Sequence, residues 1–444
     1  METGADGAFE RIPGPPGDGD GTAEITAAGG LHNYQMTLHA EYGPVVRFRL
    51  PGARRAVSIA DPVLLEATAK VDERPDKLFE FLVPLQESGN LQTMSAEEHT
   101  PWRRLLLSVL AGRPSHEAHF AGFVALCRDL ADRWAAQDGP VELQKDLSEL
   151  SLRMVCEYAL GSAVDSPEQA GRIVSAFQDV LTEHLARLYH VDVPGTEAQR
   201  ADRAEQALAY LRATVDRVLA AHRPGSHGSD LIDALVAAGQ PPARIRDTVL
   251  MTMLAAHHTT GVAVSWSLYL LAQYPEVTDR VIAELGLVLD DRPAPDYADL
   301  KRLPYLKMVL EESMRLYPPG PYAARETVGP LDLGGYSIPA GTTIFYPIRA
   351  VHMNPEYWPQ PARFDPTRFT PQRISERPRL AYIPFGLGPR SCEGAALAML
   401  EAQLALAILL HRFRFALDPD HPVIPVERFV LWAADDIRMH LAPR

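Results

Sequence analysis

The run Phe385-Gly386-Leu387-Gly388-Pro389-Arg390-Ser391-Cys392-Glu393-Gly394 sets one cysteine between a glycine-rich loop and a long apolar stretch. Gly386, Gly388 and Gly394 lack a Cβ, so the main chain can fold closely around a sulfur and admit a flat ligand. The spacing predicts a helix over residues 395–410, whose N-terminal amides and dipole point toward Cys392 and favour its thiolate. Such a sulfur is a ligand for iron. A structural cysteine at a helix start would account for Cys392 but not for the glycines and Arg390 at fixed offsets.

Other groups of residues carry chemistry of their own. Glu312-Ser313-Met314-Arg315 puts a carboxylate and a guanidinium on one helix face, within pairing distance. His99-Thr100-Pro101-Trp102-Arg103 opens an apolar helix with an imidazole and a guanidinium one turn apart. Arg325 follows the turn Pro318-Pro319-Gly320-Pro321. Finally, Ala255-Ala256-His257-His258-Thr259-Thr260 lies in the middle of residues 248–274, a stretch without Asp, Glu, Lys or Arg. Its length suits a membrane span, but polar groups at its centre are costly in lipid, so the reading is a long helix through a protein core, ended by Pro275.

Together these segments, in this order, resemble the cytochrome P-450 family over residues 42–441. The match to Phe-Gly-x-Gly-x-Arg-x-Cys-x-Gly, continued by Leu397-Ala398, is the most specific part of the resemblance. It implies a haem b cofactor with Cys392 as the axial iron ligand and Phe385, Gly386 and Gly394 shaping the loop around it. It further implies propionate partners His99, Arg103, Arg325 and Arg390, with Trp102 beside them. Phe364-Asp365-Pro366-Thr367-Arg368-Phe369 resembles the segment whose arginine joins Glu312 and Arg315 in a structural triad. Ala255 to Thr260 falls where the family carries its oxygen-activating motif, which implies roles for His258, Thr259 and Thr260. Here Ala256 replaces the usual glycine and His258 the usual acid, as in the sterol demethylase branch. Imidazole is suited to proton transfer near neutral pH. Glu393 stands where the family usually has an apolar residue, and a carboxylate beside the thiolate is expected to lower the iron's reduction potential.

By the same resemblance the substrate pocket is lined by Phe79, Phe81, Leu82, Phe177, Leu181, Met251, Ala255, Tyr322, Ala323, Leu431 and Trp432. The set is mostly apolar and suits a lipophilic small molecule. The implied reaction is a monooxygenation, with dioxygen as co-substrate and electrons from a separate ferredoxin or flavodoxin and its reductase. Two other readings stand beside it: oxidative coupling or cyclisation at the same site, and a non-catalytic haem-based ligand sensor.

The whole chain fits that expectation. Its 444 residues are 46% hydrophobic and 23% charged, enough to bury a substantial core. Acidic residues outnumber basic ones, 57 to 43, which disfavours a nucleic-acid partner. Three cysteines, Cys127, Cys156 and Cys392, make no disulfide framework and suit a reducing cytoplasm. Residues 1–30 are rich in Gly, Pro and acids, with no signal-peptide pattern, and are expected to form a flexible segment without a membrane anchor. Arginine-rich composition, with lysine only at 70, 77, 145, 301 and 307, points to a GC-rich bacterial genome. The expected fold is mainly α with minor β, one large domain over residues 31–444, with short strands at residues 45–59, 331–345 and 429–441.

Overall fold

The computed structural model describes residues 7–89, 91–92, 94–160, 167–189, 193–222, 231–428 and 430–444. Helices dominate, and short strands form four small sheets. The chain divides into two compact units, one of Met1–Glu80, Met308–Cys392 and Pro425–Trp432, the other of Phe81–Lys307, Glu393–Ile424 and Ala433–Arg444.

The first unit is organised by a four-stranded sheet. Val45–Phe48 pairs antiparallel with Ala56–Ile59, which pairs parallel with Thr343–Tyr346, which pairs antiparallel with Ala323–Glu326. The last of these strands was not anticipated from the sequence, because Ala323-Ala324-Arg325-Glu326 lacks β-branched and aromatic residues. Alternate side chains feed two apolar clusters. Val46, Phe48, Ala324 and Phe345 pack with the helix Leu31–Tyr42, while Val45, Val57, Ile344 and Tyr346 join Ile348, Ile383 and Leu387. Residues 7–30 are not the flexible segment expected of them. Ile12 is buried, the Arg47 amide donates to the Pro13 carbonyl, and a Cβ at Gly14 would lie 2.1 Å from the Arg47 carbonyl oxygen. A chain rich in Gly and Pro can dock when its backbone, rather than its side chains, makes the contact.

A buried ion network sits behind the same unit. Arg315 donates to both oxygens of Glu312 at 2.6 and 2.8 Å, and Arg368 Nε lies 3.3 Å from Glu312 Oε1. The Asp365 amide also donates to Oε1, while Arg315 reaches the carbonyls of His352 and Arg363. All three charged side chains are buried. Such a network ties the helix Pro304–Leu316 to the segment around Asp365.

In the second unit the central helix, Pro242–Gln273, packs along Leu143–Leu160. Close approach is possible because residue 261 is glycine: a Cβ there would sit 2.6 Å from the backbone of Leu147 and Ser148. Ser151 adds a 2.6 Å hydrogen bond to the Ala256 carbonyl. The uncharged stretch lies inside this helix, whose buried residues include Val262, Val264, Trp266 and Leu268. Ala395–Arg412, the helix after Cys392, is the one described helix long and apolar enough to cross a membrane, and 67% of that window is buried in protein.

Replacing Glu312 by Ala leaves two buried guanidiniums without their carboxylate, so unfolding free energy in urea is expected to fall by about 3–5 kcal/mol. Exposed pairs such as Arg113–Glu117, removed in the same way, should cost under about 1 kcal/mol.

Candidate active site

In the first unit the loop before Cys392 is a set of tight turns. Gly386 and Gly388 have φ of +73° and +68°, a left-handed backbone that other residues adopt at a cost. At Gly388 a Cβ would also meet the Ala69 carbonyl oxygen at 2.4 Å. The Cys392 amide donates to the Phe385 carbonyl at 2.8 Å, closing the loop, and the Cys392 side chain is exposed on its rim. Three residues later the helix Ala395–Arg412 begins, as its apolar run predicts. Two arginines brace the loop. Arg325, buried in its strand, reaches the Leu387 carbonyl at 3.5 Å and lies over the Tyr346 ring. Arg390 turns Nε to the carbonyl and carboxylate of Asp72.

In the second unit the helix Ala96–Leu110 starts from Ser95, whose hydroxyl accepts the Glu98 amide. Pro101 therefore stands in the second turn, where its missing N–H removes one helical bond. His99 and Arg103, one turn apart, both face Glu393: Arg103 forms an ion pair with it, and His99 Nε2 is 3.9 Å away. This changes the expectation for Glu393. Its charge is compensated by a guanidinium, so the bare carboxylate that would lower an iron potential is not what the loop presents.

On the central helix Thr252, Ala255, Ala256 and Thr259 form the least buried stripe, at helical spacing. Thr259 donates its hydroxyl to the Ala255 carbonyl at 2.9 Å, which leaves both oxygen lone pairs as acceptors. His257 and His258 stack with ring centroids 3.8 Å apart, and Phe177 tilts against His257. Burial lowers the pKa of His258 to about 4 and that of His257 well below its ordinary value, with His258 adding to the second shift. Two stacked neutral rings are compatible where two cations are not. The expectation for His258 from its residue type, a ring that titrates near pH 7, is thereby revised: the resting ring is neutral there. Thr260 differs again. It is buried and hydrogen-bonded to Glu401 of the following apolar helix, so it belongs to helix packing rather than to the stripe of Thr259.

These features agree with direct comparisons. Residues 23–439 match the family model for cytochrome P450. The chain belongs to the cytochrome P450 family. It is 30% identical to pentalenene oxygenase of Streptomyces avermitilis over 92% of both chains. It is equally 30% identical to cyclooctat-9-en-7-ol 5-monooxygenase of Streptomyces melanosporofaciens, over 84% of this chain and 83% of that one. The crystal structure of the cytochrome P450DA haem domain superposes with a TM-score of 0.87, at 23% identity, over 98% of this chain and 97% of that one. The family's reaction is monooxygenation and its cofactor a haem iron.

The P450 residues present fit that group. The donor set is a cysteine on a loop that glycine geometry keeps open. In the Ala96–Leu110 helix the Trp102 indole N–H is buried without an acceptor among the described residues, a donor suited to an anionic oxygen. The lining residues anticipated from the sequence are distributed unevenly. Phe177, Leu181, Met251, Leu82 and Leu431 are buried, Ala255 is exposed, and Ala323 and Trp432 are half-buried. Phe79 lies under the Arg74 guanidinium, and the side chain of Phe81 lies outside the described residues. Tyr322 is committed elsewhere: its hydroxyl donates to Glu427 at 2.5 Å, and the other oxygen of Glu427 accepts from His32.

Sequence reasoning missed two buried acids. Asp247, near the start of the central helix, accepts from the amides of Glu87 and Ser88 at 2.7 and 2.6 Å, holding the segment after Leu82. In sequence it is an ordinary charge in the second turn of a helix. Glu401 is the other. One carboxyl oxygen has no hydrogen-bond partner among the described residues, and burial raises its pKa to about 8 despite the Thr260 bond. An acidic residue inside an otherwise apolar helix was the available signal.

A raised carboxyl pKa means the folded state holds the proton more tightly than the unfolded one. The contribution is present below about pH 4.5 and is lost as pH rises through about 8. Glu401→Gln keeps the shape without the charge. Its melting temperature should exceed that of the wild type by more at pH 9 than at pH 5, read by calorimetry across the range.

Proposed function

We propose that this P450 uses haem b, with Cys392 as the axial ligand, to insert one oxygen atom from dioxygen into a lipophilic, terpene-like small molecule of bacterial secondary metabolism. Electrons come from a separate ferredoxin or flavodoxin with its reductase, in the cytoplasm. The observation carrying this reading is Cys392 itself, exposed at the end of a loop whose every turn leaves room for it. When bound, thiolate-ligated haem activates dioxygen reductively and delivers one oxygen atom to a C–H bond, the other leaving as water.

The chain's own residues prepare that chemistry. Phe385 and the two left-handed glycines hold the sulfur in place, and Arg325 and Arg390 stiffen the loop while offering cations to carboxylates. Thr259 supplies a hydroxyl that accepts a proton-donating partner while its own hydrogen stays on the Ala255 carbonyl, or donates after rotating away. His258 stays neutral at pH 7 and supplies no charge there. Leu181 and Met251, both buried and apolar, suit a lining that excludes water. The terpene-like substrate class rests on the two Streptomyces relatives and on the apolar lining.

The test is a spectral titration of the haem-loaded protein with terpenes and their alcohols, followed by turnover under labelled dioxygen with a surrogate electron carrier. One labelled oxygen atom in the product supports the reading, and an unlabelled product contradicts it. With the substrate so found, Thr259→Ala should divert most of the consumed electrons to free hydrogen peroxide while haem content stays unchanged. Coupling equal to that of the wild type would contradict the role given to Thr259.

A further inference from the structure

We propose that Glu393 sets how tightly this protein holds haem, by competing with a haem propionate for Arg103 and His99. The proposal rests on the haem reading above and concerns three residues of the second unit. Arg103 is ion-paired with Glu393, and their side chains are 16% and 12% exposed. His99, 1% exposed, has Nε2 3.9 Å from the same carboxylate oxygen. Charges so little hydrated interact strongly, since water screens them poorly. A carboxylate from the chain thus already pairs with Arg103 and lies beside His99, the two groups that a ligand carboxylate would need.

A propionate and Glu393 are chemically alike in charge and geometry. Arg103 offers several N–H donors, so it can serve two carboxylates, but bringing the second beside the first adds like-charge repulsion at short range. The alternative is for Glu393 to release Arg103, which leaves a poorly hydrated carboxylate without its guanidinium. Either route subtracts from haem affinity. The indole N–H of Trp102, buried on the same helix with no acceptor among the described residues, marks a donor that Glu393 does not claim. It gives an incoming propionate oxygen one contact free of that competition. Glu393 is therefore a positioning residue for Arg103 and a brake on haem retention, and an apolar side chain at this position would lack both effects.

The experiment measures haem transfer from the purified haem-loaded protein to excess apomyoglobin, for the wild type and for Glu393→Leu, Glu393→Gln, Arg103→Gln and the Glu393→Leu/Arg103→Gln double variant. Losing the competitor should slow haem loss by roughly tenfold in Glu393→Leu, the scale of one charged hydrogen bond. Glu393→Gln, which keeps the shape and guards against misfolding of the leucine variant, should slow it less. Arg103→Gln should lose haem faster than the wild type, and adding Glu393→Leu to it should change little, because the effect runs through Arg103. Unchanged or faster loss in both Glu393 variants overturns the inference while leaving the haem-thiolate reading intact. A wild-type protein that takes up haem without the absorption band of a thiolate ligand overturns both.

Discussion

A cysteine proposed to bind metal must be held in a fixed position, and the loop of the first unit fixes Cys392. Exposure comes from turns that only glycine makes cheaply, at Gly386 and Gly388. Fixation comes from the Cys392 amide on the Phe385 carbonyl and from two arginines gripping the loop's flanks. Behind it, Glu312, Arg315 and Arg368 tie a helix to the preceding segment with buried charge, which is costly to desolvate and therefore intolerant of partial loss. Polar groups that fail together add to the rigidity of the apolar cluster of Trp358, Phe369 and Ala381, whose Trp358 ring lies under Arg315.

The second unit solves a different problem. A long helix carries polar residues through a core, and each is accounted for by a neighbour or by loss of charge. Gly261 lets the Leu143–Leu160 helix approach, Ser151 braces the Ala256 carbonyl, and Asp247 anchors a loop by two amides. The histidines and Glu401 are kept neutral by burial at physiological pH. Thr252, Ala255, Ala256 and Thr259 lie on a less buried face of the middle of the long helix, which therefore offers hydroxyl and small side chains.

Much of this was legible in the sequence because it depends on local spacing. The glycine-cysteine loop, the Glu312–Arg315 turn and the uncharged helix each announce themselves over a few residues. What escaped notice depends on distant partners. Nothing near Tyr322 in sequence says that Glu427 will take its hydroxyl, and nothing near Glu393 says that Arg103 will neutralise it. The pKa of His258 is likewise set by what buries it, not by its type. Residues 7–30 were misjudged because composition reports side-chain burial, whereas their docking is made by backbone against Arg47 and Arg49.

Everything proposed for this protein turns on Cys392 sulfur as the iron ligand. The most direct measurement is the absorption spectrum of the reduced, carbon-monoxide-bound protein, compared with that of Cys392→Ser after reconstitution with haem. A strongly red-shifted Soret band of thiolate type is expected in the wild type and its loss in the serine variant, with the far-ultraviolet dichroism unchanged. A thiolate-type band that persists in Cys392→Ser would place the ligand elsewhere and contradict the claim.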